Sequence, residues 1–201
     1  FIWVLNNDTL CPPGTLHGLL AIAKSDERIG LVGCPLIETG SNQRDLLVAA
    51  GKKLSQPWFI PRPAPPDETP DYLSGATMVI KRAVLESIGL FDEAFFFFFE
   101  DADFSFRARA GGWRLAIAPD VRIHHRGSST VKVMREFQAR HYRAGHLRFL
   151  SKHGSMPWLW GWPPYFARLI LDLVHGNDEA WAGNRIGWRE GRRNQKRNPL
   201  P

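Results

Sequence analysis

The sequence predicts an α/β layered fold. A short apolar run, a helical stretch and a second apolar run follow one another within the first 40 residues. Polar clusters then recur at the ends of apolar, strand-like runs. A hydrophobic content of 44% over 201 residues is enough for one domain with a core, or one domain with an appendage.

Taken in order, FIWVL is a β-rich apolar run closed by Asn6, Asn7, Asp8 and Thr9, and reads as a buried strand. Pro12, Pro13 and Gly14 turn the chain into a helix, where Leu16, Leu19, Leu20 and Ile22 or Ala23 fall at helical spacing. Residues 29–37 read as a second strand. Residues 56–72 carry six prolines and little periodicity, and are expected to form a loop, either a lid or a plain surface excursion. Residues 72–80 form a further strand, entered through Ser74, Gly75 and Ala76, and a short helix then stops at Gly89. Residues 101–110 read as a helix with acids in its first turn. WRLAIAP and VRIHH are extended, and residues 131–152 form a moderately amphipathic helix. The aromatic segment PWLWGWPPYFARLILDLV is interrupted by Arg168 and Asp172, and its aliphatic part is shorter than the ~20 residues a membrane span needs. The last 25 residues are polar and rich in Gly and Arg, and are expected to hold little regular structure.

Charge is distributed unevenly. Residues 1–121 carry a net charge of −4 and residues 122–201 a net charge of +10, so an anionic partner should meet the second part. Two cysteines, Cys11 and Cys34, are too few for a zinc site and point to a reducing, intracellular compartment. Trp158, Trp160, Trp162, Tyr165 and Phe166 lie among basic residues, a pattern suited either to a membrane interface or to internal packing. The same interleaving can bind single-stranded nucleic acid, but no nucleic-acid motif accompanies it, so no nucleic-acid partner is expected.

Three clusters carry candidate chemistry: Asn6-Asn7-Asp8, Glu100-Asp101-Ala102-Asp103 and His124-His125. In open α/β sheets ligands bind beyond the carboxyl ends of strands, so the three can converge on one crevice. An Asp, a His and diphosphate oxygens make an octahedral set for Mg²⁺ or Mn²⁺. Each cluster also has a structural reading. Asn and Asp start turns, acids favour a helix N-terminus, Asp103 can pair with Arg107 at i+4, and a His pair can be a hydrogen-bonded surface. Glu100 adjoins five consecutive phenylalanines, Phe95 to Phe99, which read as a buried floor covered on both sides. Phe98 or Phe99 is the alternative platform for a stacked sugar.

The strings LNNDT, SGATMVIKRAVLESIGLFDE, FFEDADFSFRARAGGWRLAIAPD and HHRGSS closely resemble the family 2 glycosyltransferases of the GT-A (Rossmann-like) fold. The likeness is strongest to the bacterial rhamnosyltransferase-like branch that builds cell-surface polysaccharides, and it covers about residues 1–130. It implies that residues 1–130 are the C-terminal portion of a GT-A catalytic domain. A basic, aromatic-rich helical extension at 131–175 and a polar tail at 176–201 would follow. The resemblance places Asp8 in a DxD-type metal motif whose first position is here Asn6. It makes Asp101 the catalytic base, with Glu100 beside it. His125, six residues beyond Pro119, becomes the metal-ligand histidine. Asn6, Asn7, Ser74, Gly75, Ala76, Asp103 and His124 would line the donor and acceptor cleft.

The implied activity is inverting transfer of a sugar, with rhamnose the candidate, from a nucleotide-diphosphate donor to a saccharide or lipid-linked acceptor. The implied cofactor is Mg²⁺ or Mn²⁺. The implied place is the cytoplasm, peripheral to the inner membrane, with an anionic membrane surface as a candidate partner. Two rival readings stand beside it: a non-catalytic carbohydrate- or membrane-binding module, and a metal-dependent phosphoesterase. In the family, nucleotide-binding units precede the LNNDT strand, and here the chain opens at Phe1. The expectation is therefore a chain that begins mid-protein and by itself binds donor poorly.

Overall fold

A computed structural model describes residues 1–39, 45–48, 50–65, 68–125 and 134–197. The chain forms two compact units. The first takes residues 1–54, 61–92 and 101–127, and the second takes residues 55–60, 93–100 and 128–201.

The first unit is a mixed α/β domain, as the resemblance to the GT-A fold implies. Its strands are β1 (Ile2–Leu5), β2 (Thr9–Leu10), β3 (Ile29–Gly33), β4 (Leu36–Thr39), β5 (Asp45–Val48) and β6 (Gly51–Ser55). They continue with β7 (Ile60–Pro63), β8 (Tyr72–Leu73), β9 (Thr77–Ile80), β10 (Arg114–Ile117) and β11 (Ile123–His125). Helices α1 (Thr15–Ser25), α2 (Arg82–Ile88) and α3 (Glu100–Ala110) are interspersed. One sheet runs β1-β9-β3-β10, a second β2-β11-β4-β5 and a third β7-β6-β8.

All five residues of β3 are buried, which explains its continuous apolar run. Alternation along that strand divides the core. Val32 packs with Leu19 and Ala23 of α1, while its neighbour Leu31 packs with Val84 of α2 and Phe104 and Ala108 of α3. Helices thus cover both faces of the first sheet. Leu16, expected on the buried stripe of α1, is 43% exposed instead, and Thr15 is buried.

Three strand assignments change. The run 72–80 is broken at residues 74–76, leaving β8 in the third sheet and β9 in the first. The run 29–37 is broken at Cys34-Pro35, and its halves join different sheets as β3 and β4. The proline-rich segment is not all loop, because residues 60–63 form β7 at a sheet edge. An edge strand tolerates the missing N–H groups of Pro61 and Pro63.

The second unit is built on α4 (Arg135–His153), α5 (Pro157–Val174) and α6 (Asp178–Arg197). The tail expected to hold little structure is therefore a 20-residue helix over most of its length. Its glycines explain the misreading. A Cβ at Gly183 would run into the backbone carbonyl of Glu136, and one at Gly187 into that of Arg140. A Cβ at Gly191 would stand 2.9 Å from Leu147. Glycines at i, i+4 and i+8 let α6 lie directly on the backbone of α4, an approach no other residue allows. Trp188 fills the adjoining space, stacked on Tyr165 with ring centroids 4.2 Å apart. Among the described residues no helix is long and apolar enough to cross a membrane.

The phenylalanine run also belongs to the second unit. Phe95 and Phe99 are buried, the latter against Tyr142 and Phe149 of α4. Phe96 is 72% exposed, so the run is not a floor covered on both sides. Gly145 of α4 makes room for it: a Cβ there would stand 2.7 Å from the Phe98 carbonyl oxygen.

Candidate active site

The turn after β1 is tied to the segment before β9. The Asn6 N–H donates to the Ala76 carbonyl at 3.1 Å, and the Thr9 hydroxyl closes the turn by donating to the Asn6 carbonyl at 2.7 Å. One residue earlier in that segment, the Gly75 N–H donates to Asp101 Oδ2 at 3.0 Å. Gly75 and Ala76 therefore bridge the Asn6-Asn7-Asp8 turn to the first turn of α3. Ser74 supports the bridge by accepting the Ala76 N–H on its hydroxyl at 3.3 Å. Asn6 and Asn7 are exposed and Asp8 is half-buried.

Asp101 is the second residue of α3. Its other oxygen, Oδ1, accepts the Ala102 N–H at 2.8 Å, so each carboxylate oxygen is held by one backbone donor. Burial pushes its pKa above the ordinary aspartate value, and the Gly75 N–H, the Lys52 ammonium and the Ala102 N–H pull it back without cancelling the rise. Lys52, on β6, is a neighbour the sequence did not signal. An added Cβ at Gly75 would meet the Asp101 Cβ at an ordinary 3.5 Å, so the N–H, not the missing side chain, matters at this position.

β11 pairs antiparallel with β2 and parallel with β4, setting His125 opposite Thr9 on one side and Glu38 on the other. The period of two along the strand separates the two histidines. His125 is 6% exposed, whereas His124 points to the opposite, exposed face and does not join the site. His125 Nδ1 lies 3.0 Å from Glu38 Oε1, and Nε2 lies 3.2 Å from Asp8 Oδ1 and 3.4 Å from Asn6 Nδ2. With Nδ1–H donated to Glu38, the Nε2 lone pair faces the Asp8 carboxylate, and a cation between them would satisfy both. One imidazole nitrogen and one carboxylate oxygen, completed by substrate oxygens, would suit Mg²⁺ or Mn²⁺. Among the described residues, no three His, Cys, Asp or Glu side chains form a ready cage for a metal. Glu38 was missed because it lies just past the apolar run 29–37, and only the pairing register brings it to His125.

The remaining acids part company. Asp103, expected on the cleft, is fully buried and accepts the Arg107 Nε–H at 2.8 Å. Arg107 also donates to the Ile88 and Leu90 carbonyls at 2.8 Å each, so Asp103 anchors α3 to the end of α2 and the loop after it. The i+4 pairing expected from the sequence is present. Glu100 opens α3 but belongs to the second unit. Burial raises the Cys34 thiol to about 11, which leaves it inert as a nucleophile. Residues 126–133, including the Gly127, Ser128 and Ser129 of HHRGSS and the Val131 expected on α4, lie outside the described residues.

The family model described as glycosyltransferase like family 2 matches residues 1–144. Two curated relatives are described as N-acetylglucosaminyl-diphospho-decaprenol L-rhamnosyltransferase, from Mycobacterium tuberculosis strains CDC 1551 / Oshkosh and ATCC 25618 / H37Rv. Each is 27% identical to this chain over 174 residues, covering 76% of this chain and 56% of the relative. The chain thus spans little more than half the length of these relatives.

Proposed function

Because the chain belongs to the family 2 glycosyltransferases, we propose that it carries the metal, acceptor and base half of an inverting sugar transferase. The donor is a nucleotide-diphosphate sugar, with rhamnose the candidate. The acceptor is a hydroxyl of a saccharide or lipid-linked saccharide in cell-surface polysaccharide synthesis. The mycobacterial relatives, whose names specify rhamnosyl transfer to a diphospho-decaprenol-linked sugar, support the substrate class.

The observation that carries the reading is the Asp101 carboxylate, fixed by the Gly75 and Ala102 N–H groups and raised in pKa by burial. Two fixed N–H contacts orient the carboxylate while leaving lone pairs for an acceptor proton. Asp101 takes that proton as the acceptor oxygen forms its bond to the anomeric carbon. The bond from that carbon to the diphosphate oxygen breaks on the opposite face, and its electron pair leaves with the nucleoside diphosphate. Asp8 and His125 would hold a divalent cation, which would neutralise charge on the diphosphate. Glu38 holds the His125 ring with Nε2 toward Asp8, and the Asn6–Ala76 bond keeps Asp8's turn in register with the Asp101 contact.

Asp101→Asn in the natural protein tests this. Transfer should fall ~10²–10⁴-fold with metal-dependent donor binding retained; unchanged turnover overturns the base assignment. The base must be ionised, and its pKa is raised. Activity in the parent should therefore be lost, on lowering the pH, above the ordinary carboxylate range.

The same reading places the protein in the cytoplasm against the inner membrane. Leu159, Phe166, Ile170, Leu173 and Val174 recur along one side of α5 and are all exposed. The +10 charge of residues 122–201 favours an anionic bilayer as the surface that covers them. Co-sedimentation with vesicles containing phosphatidylglycerol should be lost in Ile170→Glu/Leu173→Glu. Binding equal to the parent's, or no binding by the parent, rejects the membrane placement.

A further inference from the structure

The helical unit holds a cavity of about 750 Å³ with no part in the chemistry above. Three of its lining residues, Arg135, Arg143 and Arg168, are arginines and none is acidic. Arg143 is the unusual one. It is 3% exposed, yet among the described residues no carboxylate lies within ion-pair distance of it. Asp172, which acts on it at longer range, is taken up by Arg168 Nη2 at 2.9 Å and by the Asn184 amide at 2.9 Å.

The groups that hold Arg143 are all neutral: the Tyr165 ring, whose centroid is 5.5 Å from Cζ, and three hydrogen-bond partners at long range. Nε reaches Asn184 Oδ1 at 3.4 Å and Nη2 reaches the Pro164 carbonyl at 3.4 Å. Nη1 reaches His146 Nδ1 at 3.3 Å. His146 donates its Nε2–H to the Trp58 carbonyl at 2.6 Å, so Nδ1 is left as the acceptor. Burial and the adjacent guanidinium keep His146 neutral, with a pKa of about 4. Burial also lowers Arg143 to about 10, so it stays charged at neutral pH. A buried cation fixed in orientation and short of strong acceptors is costly by itself and favourable toward an anion that enters. Several guanidinium forks around one cavity match tetrahedral phosphoryl oxygens better than a single carboxylate, which saturates one fork.

We propose that this cavity is a phosphoryl-anion site, and, resting on the function proposed above, that it takes the diphosphate of a lipid-linked acceptor. Arg143 supplies the buried fork, and Arg135 and Arg168 offer the outer oxygens the N–H groups that Asn177, at 2.7 Å from Arg135 Nη1, and Asp172 leave free.

Calorimetric titration in EDTA without divalent metal tests the site apart from Asp8 and His125. Inorganic pyrophosphate should bind. Arg135→Gln, at an exposed position, should weaken binding about tenfold, and Arg143→Lys, which keeps the charge and removes the fork, by tenfold or more. Circular dichroism confirms that each variant is folded. No binding of pyrophosphate, or binding equal in parent and both variants, overturns the site. Farnesyl diphosphate and a nucleoside diphosphate form the other arms. Tighter binding of the prenyl compound supports the acceptor assignment, while equal or tighter binding of the nucleotide overturns it and leaves the phosphoryl site standing. Asp101→Asn should bind pyrophosphate like the parent, so failure of the transfer reading and failure of this site are read separately.

Discussion

Arg107 in the sheet unit, its side chain 20% exposed, and Arg143 in the helical unit, 3% exposed, spend their hydrogen bonds in opposite ways. Arg107 makes three contacts of 2.8 Å, one of them to the fully buried Asp103. Arg143 makes three of 3.3–3.4 Å, all to neutral groups. The first arginine is saturated and ties α3 to the end of α2. The second is oriented by long contacts and has no carboxylate among them. Burial alone does not distinguish a structural cation from a binding one; the length of its bonds and the charge of its partners do.

The largest test of this contrast is a pair of substitutions with opposite expected sign. Arg107→Met leaves the Asp103 carboxylate buried without its cation, and should destabilise the protein by ~3–5 kcal/mol in chemical denaturation. Arg143→Met removes a buried charge that lacks an acid, and should leave the ligand-free protein unchanged or more stable. Equal losses in the two variants break the comparison. Glu38→Ala extends it to the site: the ring of His125 loses its orienting acceptor, and Mn²⁺ affinity should drop ~10–100-fold in titration calorimetry. Two glycines give the smallest effects. Gly187→Ala pushes a methyl into the Arg140 carbonyl and should cost ~1–3 kcal/mol. Gly75→Ala meets Asp101 at ordinary distance and should stay within ~0.5 kcal/mol by thermal melting.

Much of the sheet unit was legible because its periods are clean. The apolar runs at β1, β3, β9 and β10 and the bounded helices α1, α2 and α3 appear where alternation and stop signals put them. The split into β3 and β4 was not legible, because a Cys-Pro break inside an apolar run gives no sign of which sheet each half joins. In the candidate site, the turn carrying Asp8, the acid Asp101 and the histidine His125 are the residues that the motif strings single out. Glu38 and Lys52 are not among them, since each reaches its partner through strand register or tertiary approach. Strand alternation separates His125 from His124 once β11 is known to be extended. In the tail, Gly183, Gly187 and Gly191 resembled a flexible composition. Their spacing of four was the available clue, and its meaning depended on α4 lying against them.

The division of the chain has a consequence for anyone who would take it apart. Residues 55–60 and 93–100 leave the sheet unit and return to it, so the boundary between the units is crossed five times. On those two excursions ride Phe59, Phe95 and Phe99, whose rings rest on Phe149, Arg148, Lys152 and Tyr142 of α4. A single cut, by a protease or by a stop codon after residue 127, would therefore free neither part cleanly. It would remove the helices and strand three aromatic rings on what remained, a sticky remnant. The helices are sewn in, and they must be inherited, expressed and engineered together with the sheet.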